Sequence, residues 1–429
     1  MIGSRLASTE TLPKDWTVRN LGQIGSYVNG YPFKPAEWTT QGVPIIRIQN
    51  LTDATKPFNY FGGTVEERYR ISTGDVLVSW SASLGAFKWT RGPAWLNQHI
   101  FKASPRDHIV CAPFFYFLMR HSIERIAKNA RGSTMRHVTL KEFVQSEVAI
   151  PGMKEQRQIA RVLSAVQRSI ERQERLIALT AELKKALMHH LFTHGTRGEP
   201  LKQTEIGPVP ESWEVKRIAD VCKLVSGGTP SKGNPAFWNG SIPWASPKDM
   251  KQSRLSDAED HISQAGRDDG SRQAPAGSIF VVIRGMILMR DVPIAQAVVP
   301  MAFNQDMKAL VEHRGISSDF LLYSLQRARE RLLQKVGSSA HGTRTLMTSA
   351  VEQLPIGVPK QSEQEAISKA VKLTETKESS HKRTAERLQE LFRTLLHQLM
   401  TAQIRVHDLD LSALDSVAIE PAADAVEVP

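Results

Sequence analysis

The chain is poor in the residues that build covalent or metal frameworks. Its 429 residues include two cysteines, Cys111 and Cys222, one in each half and at non-matching places. That excludes a disulfide framework and a cysteine-based zinc site, and it points to a reducing cytoplasm. No run of 18 apolar residues occurs, so no membrane-spanning helix is expected. The opening MIGSRLASTE has no apolar core, so no signal peptide is expected either. Catalytic signatures are equally scarce. The glycine-rich stretch from Gly227 to Gly233 fails the G-x-x-x-x-G-K-[ST] spacing of a nucleotide-phosphate loop. No glycine-rich cofactor loop follows a strand, and no acidic cluster suggests a magnesium nuclease. Asn234-Pro235-Ala236-Phe237 lacks the second proline of the Asn-Pro-Pro-Phe/Tyr loop of amino-methyltransferases, and reads as an ordinary loop. His189, His190 and His194 cluster at a helix end, where histidines satisfy free carbonyls rather than bind metal. These absences argue for binding rather than catalysis.

What the chain does have is positive charge and repetition. The formal net charge is +11. Residues 1–150 hold 18 basic against 11 acidic residues, whereas residues 360–429 hold 9 against 12. The excess lies in the folded parts rather than in a tail, as suits a surface facing a polyanion such as nucleic acid. The competing reading is charge that serves solubility alone.

Pro151 to Thr193 reads as one long helix, with no Pro or Gly from Glu155 to Phe192. Apolar residues recur at Ile159, Leu163, Val166, Ile170 and Ile177, then, slightly shifted, at Leu183, Leu187 and Leu191. That is a coiled-coil seam, with Gln173 and Thr180 as polar positions that fix register. Gly195 supplies a stop. The same helix returns 208 residues later, from Pro359 to Thr401, with seam residues Ile367, Val371, Leu388, Leu391, Leu395 and Leu399. Glu155-Gln156 matches Glu363-Gln364, and His189 matches His397, without a gap. A period this long means a duplicated module.

Matching anchors run through the globular parts. Trp16 pairs with Trp213, Val28-Asn29-Gly30 with Val225-Ser226-Gly227, Trp38 with Trp238, Gly74-Asp75-Val76-Leu77 with Gly277-Ser278-Ile279-Phe280, and Asn97-Gln98 with Asn304-Gln305. Eleven extra residues sit inside the second module. Short strands are expected at Pro44–Gln49 and Asp75–Trp80, with weaker candidates at Trp95–Lys102 and Glu147–Ile150. The Phe115, Leu118, Met119, Ser122, Ile126 spacing predicts a helix, with a counterpart from Phe320 to Leu333. The fold class is therefore α/β or α+β. Domains are expected at 1–150 and 210–358, helices at 151–194 and 359–402, a linker at 195–209, and an acidic, disordered tail at 403–429.

Loops rich in Gly, Ser, Thr and Arg are the candidate DNA contacts. Gly permits close backbone approach, short hydroxyls donate, and Arg pairs a phosphate or a guanine edge. In the first module these are Gly30, Lys34 and the run Arg131, Gly132, Ser133, Thr134 and Arg136. In the second they are Gly228, Thr229, Lys232, Lys248, and the run Gly337, Ser338, Ser339 and Arg344.

Together the Trp16 and Trp213 starts, the Gly74 strand, the Asn97-Gln98 pair, the Gly132-Ser133-Thr134 loop and the Glu155-Gln156-Arg157-Gln158-Ile159 helix carry a resemblance. So do Gly198-Glu199, Thr204-Glu205-Ile206-Gly207 and Pro210 in the linker. The chain resembles, over about residues 12–410, the specificity subunit of Type I restriction-modification enzymes. The resemblance implies two target-recognition domains, each reading half of a split, asymmetric DNA site. It implies two long helices packed as an antiparallel coiled coil between them, with pseudo-twofold symmetry. Two methyltransferase subunits and the restriction subunits would be the protein partners. S-adenosylmethionine, ATP and Mg would belong to those partners, with no cofactor in this chain. Segments that differ, such as Arg284-Gly285-Met286 against Ser81-Ala82-Ser83, are expected where the modules read different bases. The alternative is a non-catalytic coiled-coil scaffold, or a DNA-binding adaptor of another methyltransferase complex.

Overall fold

A computed structural model describes residues 12–81, 83–129, 139–338 and 342–412. The candidate contacts Arg131, Gly132, Ser133, Thr134, Arg136 and Ser339 lie outside these residues. The chain divides into two compact units, one made of 1–174 with 383–429 and the other of 175–382. Each unit therefore takes part of both long helices.

The two units repeat one strand order. The main sheet of the first runs Gly25–Asn29, Ile100–Pro105, Val76–Ser79, Gly85–Lys88. In the second it runs Lys223–Ser226, Met307–Val311, Ile279–Val282, Ile294–Ala297, with Arg254–Leu255 added at the edge. A smaller sheet in each contains one parallel pair, Val43–Ile46 beside Ala94–Leu96 and Trp238–Ala245 beside Met301–Phe303. A two-stranded clasp closes each unit, Thr17–Asn20 against Glu147–Ile150 and Glu214–Arg217 against Pro355–Val358. The main-sheet strands Val76–Ser79 and Ile279–Val282 are buried throughout, which explains why neither alternates apolar with polar residues.

Local departures from the sequence reading have physical causes. The strand expected at Pro44–Gln49 ends at Ile46, and Ile48–Thr52 turns helical behind an Arg47 amide bonded to Asn50 Oδ1 at 3.1 Å. Trp95–Lys102 is two strands, broken where His99 adopts φ +76°. The helix read from Phe115 spans Ala112–Asn129, while its counterpart is split into Ser318–Arg327 and Arg329–Leu333.

The long helices are Met153–His194, of 42 residues, and Gln361–Met400, of 40. Gly195 ends the first at φ +65°, donating to the Leu191 carbonyl at 3.0 Å. The buried and half-buried stripe steps by four and three from Ile159 through Ile177, Thr180 and Lys184 to Leu191. The stripe on the second helix, from Ile367 through Val371 and Leu388 to Leu399, falls 208 residues further on. The seam thus keeps phase, which corrects two expected seam residues. Leu183 and Leu391 are 57% and 45% exposed, each one position off the stripe. Lys184 occupies the seam instead, tied to Glu375 at 2.6 Å. In both units the helix segments pack antiparallel. In the first, Glu155 meets Arg405 and Glu174 meets Gln389. In the second, Lys184 meets Glu375 and Thr196 meets Glu363.

The tail expected to be disordered from 403 is folded in its described part. Val406 is fully buried, and Arg405 forms paired bonds to Glu155 at 2.8 Å and to Asp15 at 2.6 and 3.2 Å.

Candidate nucleic-acid interface

Two anchors that repeat in the sequence meet in space. Gly30 packs on the carbonyl of Asn97, and Gly227 packs on that of Asn304; a Cβ at either would collide with backbone. Beside them, the Tyr31 amide donates to Leu96 at 2.8 Å and the Gly228 amide to Phe303 at 2.9 Å. These glycines are required by strand crossing. Gly30 is buried and offers nothing to a ligand, a correction to its expected role.

The loop after Gly227 is likewise used internally. The Gly228 carbonyl accepts from Trp244 Nε1 at 3.0 Å and Ser271 Oγ at 3.1 Å. Thr229 Oγ1 bonds Gln305, and the Ser231 amide donates to the Asp269 carboxylate at 3.2 Å. A carboxylate already holding a loop amide repels a phosphate there, so the loop is no cradle for one. Lys232 remains exposed at its tip. Asn234 caps the turn Pro235–Phe237 by accepting from the Ala236 amide at 3.1 Å, and Lys34 precedes the matching turn Pro35–Glu37, exposed. Lys248 is not a free cation. It pairs with Asp260 at 2.9 Å and Glu259 at 3.2 Å, bonds that hold its ammonium pKa above the ordinary value.

Gly337, Ser338 and Arg344 come together. Val336–Ser338 pairs with Arg344–Leu346, and Arg344 Nη1 donates to Ser338 Oγ at 2.7 Å. This hairpin joins the end of the main-sheet strand, with the Gly285 amide donating to the Arg344 carbonyl at 3.0 Å. In the first unit the corresponding stretch lies outside the described residues, between Ala112–Asn129 and the helix Leu140–Gln145.

Each module is fastened to its closing helix by matched polar groups. Gln156 accepts from the Cys111 amide at 2.9 Å and donates to the carbonyls of Ile109 and Pro151 at 3.0 and 2.9 Å. Gln364 repeats this with Ser317, Gly315 and Pro359 at 2.8, 2.9 and 3.0 Å. Both side chains are buried. The neighbouring glutamates take an arginine that follows the antiparallel helix, Arg405 for Glu155 and Arg197 for Glu363. Arg405's bonds to Glu155 and then to Asp15 raise its pKa, and the bond from Arg405 lowers that of Asp15.

A family description decides the identity. The Type I restriction modification DNA specificity domain matches residues 13–181 and again 210–390. The chain belongs to this family. Among similar specificity subunits, that of a Type I restriction enzyme from Escherichia coli is 30% identical over 230 residues, 53% of this chain and 55% of that one. The MjaVIII specificity subunit of Methanocaldococcus jannaschii is 21% identical over 93% of this chain and 95% of its own. A Type I restriction-modification S subunit crystal structure from M. genitalium shares the fold, with a TM-score of 0.59 at 16% identity, covering 92% of this chain and 98% of that one.

Several candidate groups of this specificity chain escaped the sequence reading. Next to the small-sheet strands of the first unit, Arg47 lies 4.9 Å from the Trp38 ring centroid and Arg68 lies 4.8 Å from that of Tyr69. In the second unit a network links module to helices. Tyr323 donates to Glu375 at 2.8 Å, Arg254 to Tyr323 at 3.1 Å and to Asp319 at 2.7 Å. The first unit has the pair Phe117–Phe392 in its core, where Phe392 matches Lys184 in the repeat. No spacing rule pairs an arginine with a ring or carboxylate brought near by the fold. Arg197 and Arg405 were findable, because they too are 208 residues apart.

Proposed function

We propose that this chain is the DNA-reading subunit of a Type I restriction-modification complex. Each module, 1–150 and 210–358, reads one half of a two-part asymmetric site, and the long helices set the gap and dock two methyltransferase subunits. Restriction subunits join the same complex. S-adenosylmethionine, ATP and Mg act in the partners, and the complex works in the cytoplasm. One observation carries the reading: the specificity domain is matched twice, on two units with the same strand order but different loops. Two similar frames with dissimilar tips are what an asymmetric target requires. The exposed Lys34, Lys232 and Arg284 and the bonded pair Ser338 and Arg344 are the proposed contacts.

The test is to co-express the chain with its methyltransferase subunits and sequence the methylated positions in a host genome. A two-part motif with a fixed gap is expected, and no methyl transfer by the purified chain alone. Methylation at a single undivided motif, or equal binding of random and methylated-motif duplexes, refutes the reading.

A further inference from the structure

The two units differ in the connection that leaves the buried main-sheet strand. In the first unit it is residues 80–84, between Val76–Ser79 and Gly85–Lys88. In the second it is residues 283–293, between Ile279–Val282 and Ile294–Ala297, and it contains the turn Met286–Met289. Gly285 enters this turn at φ +138°, a conformation that favours glycine. Leu288 anchors it, 1% exposed, while Met286 and Met289 are each 60% exposed. The strand Arg344–Leu346 is bonded alongside through Gly285, and the next residue, Met347, is 67% exposed. Three large apolar side chains therefore stand out from two adjoining segments.

Their surroundings are basic. Arg284 and Arg290 bracket the turn and are exposed, and Arg344 lies on the adjoining strand. Arg284 approaches Asp306 at 3.6 Å, and Asp291 is engaged by Arg329 at 3.5 Å. An apolar tip flanked by arginines suits a polyanion that presents apolar edges between its phosphates, which describes a DNA groove with thymine methyl groups. Methionine is flexible and polarizable, so it adapts to base edges. The asymmetry points the same way. Under the proposed function one kind of methyltransferase subunit docks on both repeats, and a surface for it should recur in both. A turn in a connection of 11 residues, where the first unit has 5, suits the component that differs between the halves, the base sequence.

We propose that Met286, Met289 and Met347 form an apolar reading tip that enters a DNA groove at the half-site of the second module and sets base preference there. This rests on the proposed function. The test uses the full chain co-purified with its methyltransferase subunits, first mapping the wild-type motif. In the variant Met286→Ser/Met289→Ser, and separately in Met347→Ser, preference at one or two positions of a single half should fall about tenfold, the scale of one mismatched pair. The other half should be unchanged. Met286→Leu/Met289→Leu, which keeps apolar bulk, should retain the motif. An unchanged motif and affinity in both serine variants overturns the proposal. So does loss of methyltransferase subunits on purification, which would make the tip a protein-docking surface. A wild-type complex that methylates no two-part motif overturns the functional reading itself.

Discussion

Replacing Gln156 with alanine should loosen the first unit and leave the second intact. The side chain is 1% exposed and makes two hydrogen bonds to the Ile109–Cys111 turn and a third to the Pro151 carbonyl just ahead of its own helix. Each such bond contributes about 1 kcal/mol net, and a buried group left without a partner costs about 1–3 kcal/mol. Water can reach the half-buried Cys111 turn, so a total of roughly 2–4 kcal/mol is expected. Global unfolding of a chain with two units need not be two-state. Hydrogen exchange read by mass spectrometry localises the loss instead. Exchange should rise in residues 109–163 and stay unchanged around Gln364; Gln364→Ala should give the mirror pattern. Gln156→Glu adds a pH signature. The new carboxyl would be buried against two carbonyls, which raises its pKa in the folded protein. A raised folded pKa means that stability is present at acid pH and lost as pH rises through that value. The glutamate variant should therefore be more stable at pH 5 than at pH 7.5. A loss below about 0.5 kcal/mol for Gln156→Ala, small beside the expected bond energies, or faster exchange in both units alike, would refute this account of the fastening.

Arg405→Ala should free the folded part of the tail, seen as rapid exchange across residues 403–409, whereas Arg405→Lys should recover part of the protection because the charge survives without the fork. His313 is half-buried, and the partial loss of solvent lowers its pKa; its Nδ1 lies 3.0 Å from Ser318 Oγ. The folded state then resists the proton that the unfolded chain accepts near pH 6.5. Stability should fall as pH drops from 7 to 5.5, and His313→Asn should fall less, measured by thermal melting at both pH values. Four residues inserted after Thr180 lengthen one helix by about 6 Å. At about 3.4 Å per base pair, the methylated motif should gain one or two base pairs of gap with both halves unchanged. An unchanged gap in a folded insertion variant would show that the helices are not the ruler.

The frame was legible because duplication prints itself as periodicity. The 208-residue offset located both helices, and the paired glycines and asparagines proved to be a single backbone crossing in each unit. The seam was misread at Leu183 because apolarity was followed where phase was the better guide. Lys184 can sit on the stripe only because Glu375 is there to receive it. The candidate site was less legible. Lys248 looks like a free cation in the sequence, yet the carboxylates of Glu259 and Asp260 meet it in the fold. Gly228 and Thr229 read as DNA contacts in the sequence, but their polar groups are satisfied by tryptophan, serine and glutamine from elsewhere in the unit. Contacts made by the fold across tens of residues leave no local mark.

The division of the chain also orders its birth. The second unit is one continuous stretch, 175–382, whereas the first needs both the start of the chain and residues beyond 383. Its core includes Phe392, Leu396, Leu399 and Val406, packed with Phe114, Phe117 and Leu163. Synthesis proceeds from the N-terminus, so the unit that begins first lacks part of its interior until residues 392–406 have been made. The second unit can close earlier. A ribosome stalled soon after residue 382 has cleared the exit tunnel should carry a protease-resistant second unit beside an open first one, and a premature stop between residues 383 and 400 should cost the first unit rather than the second.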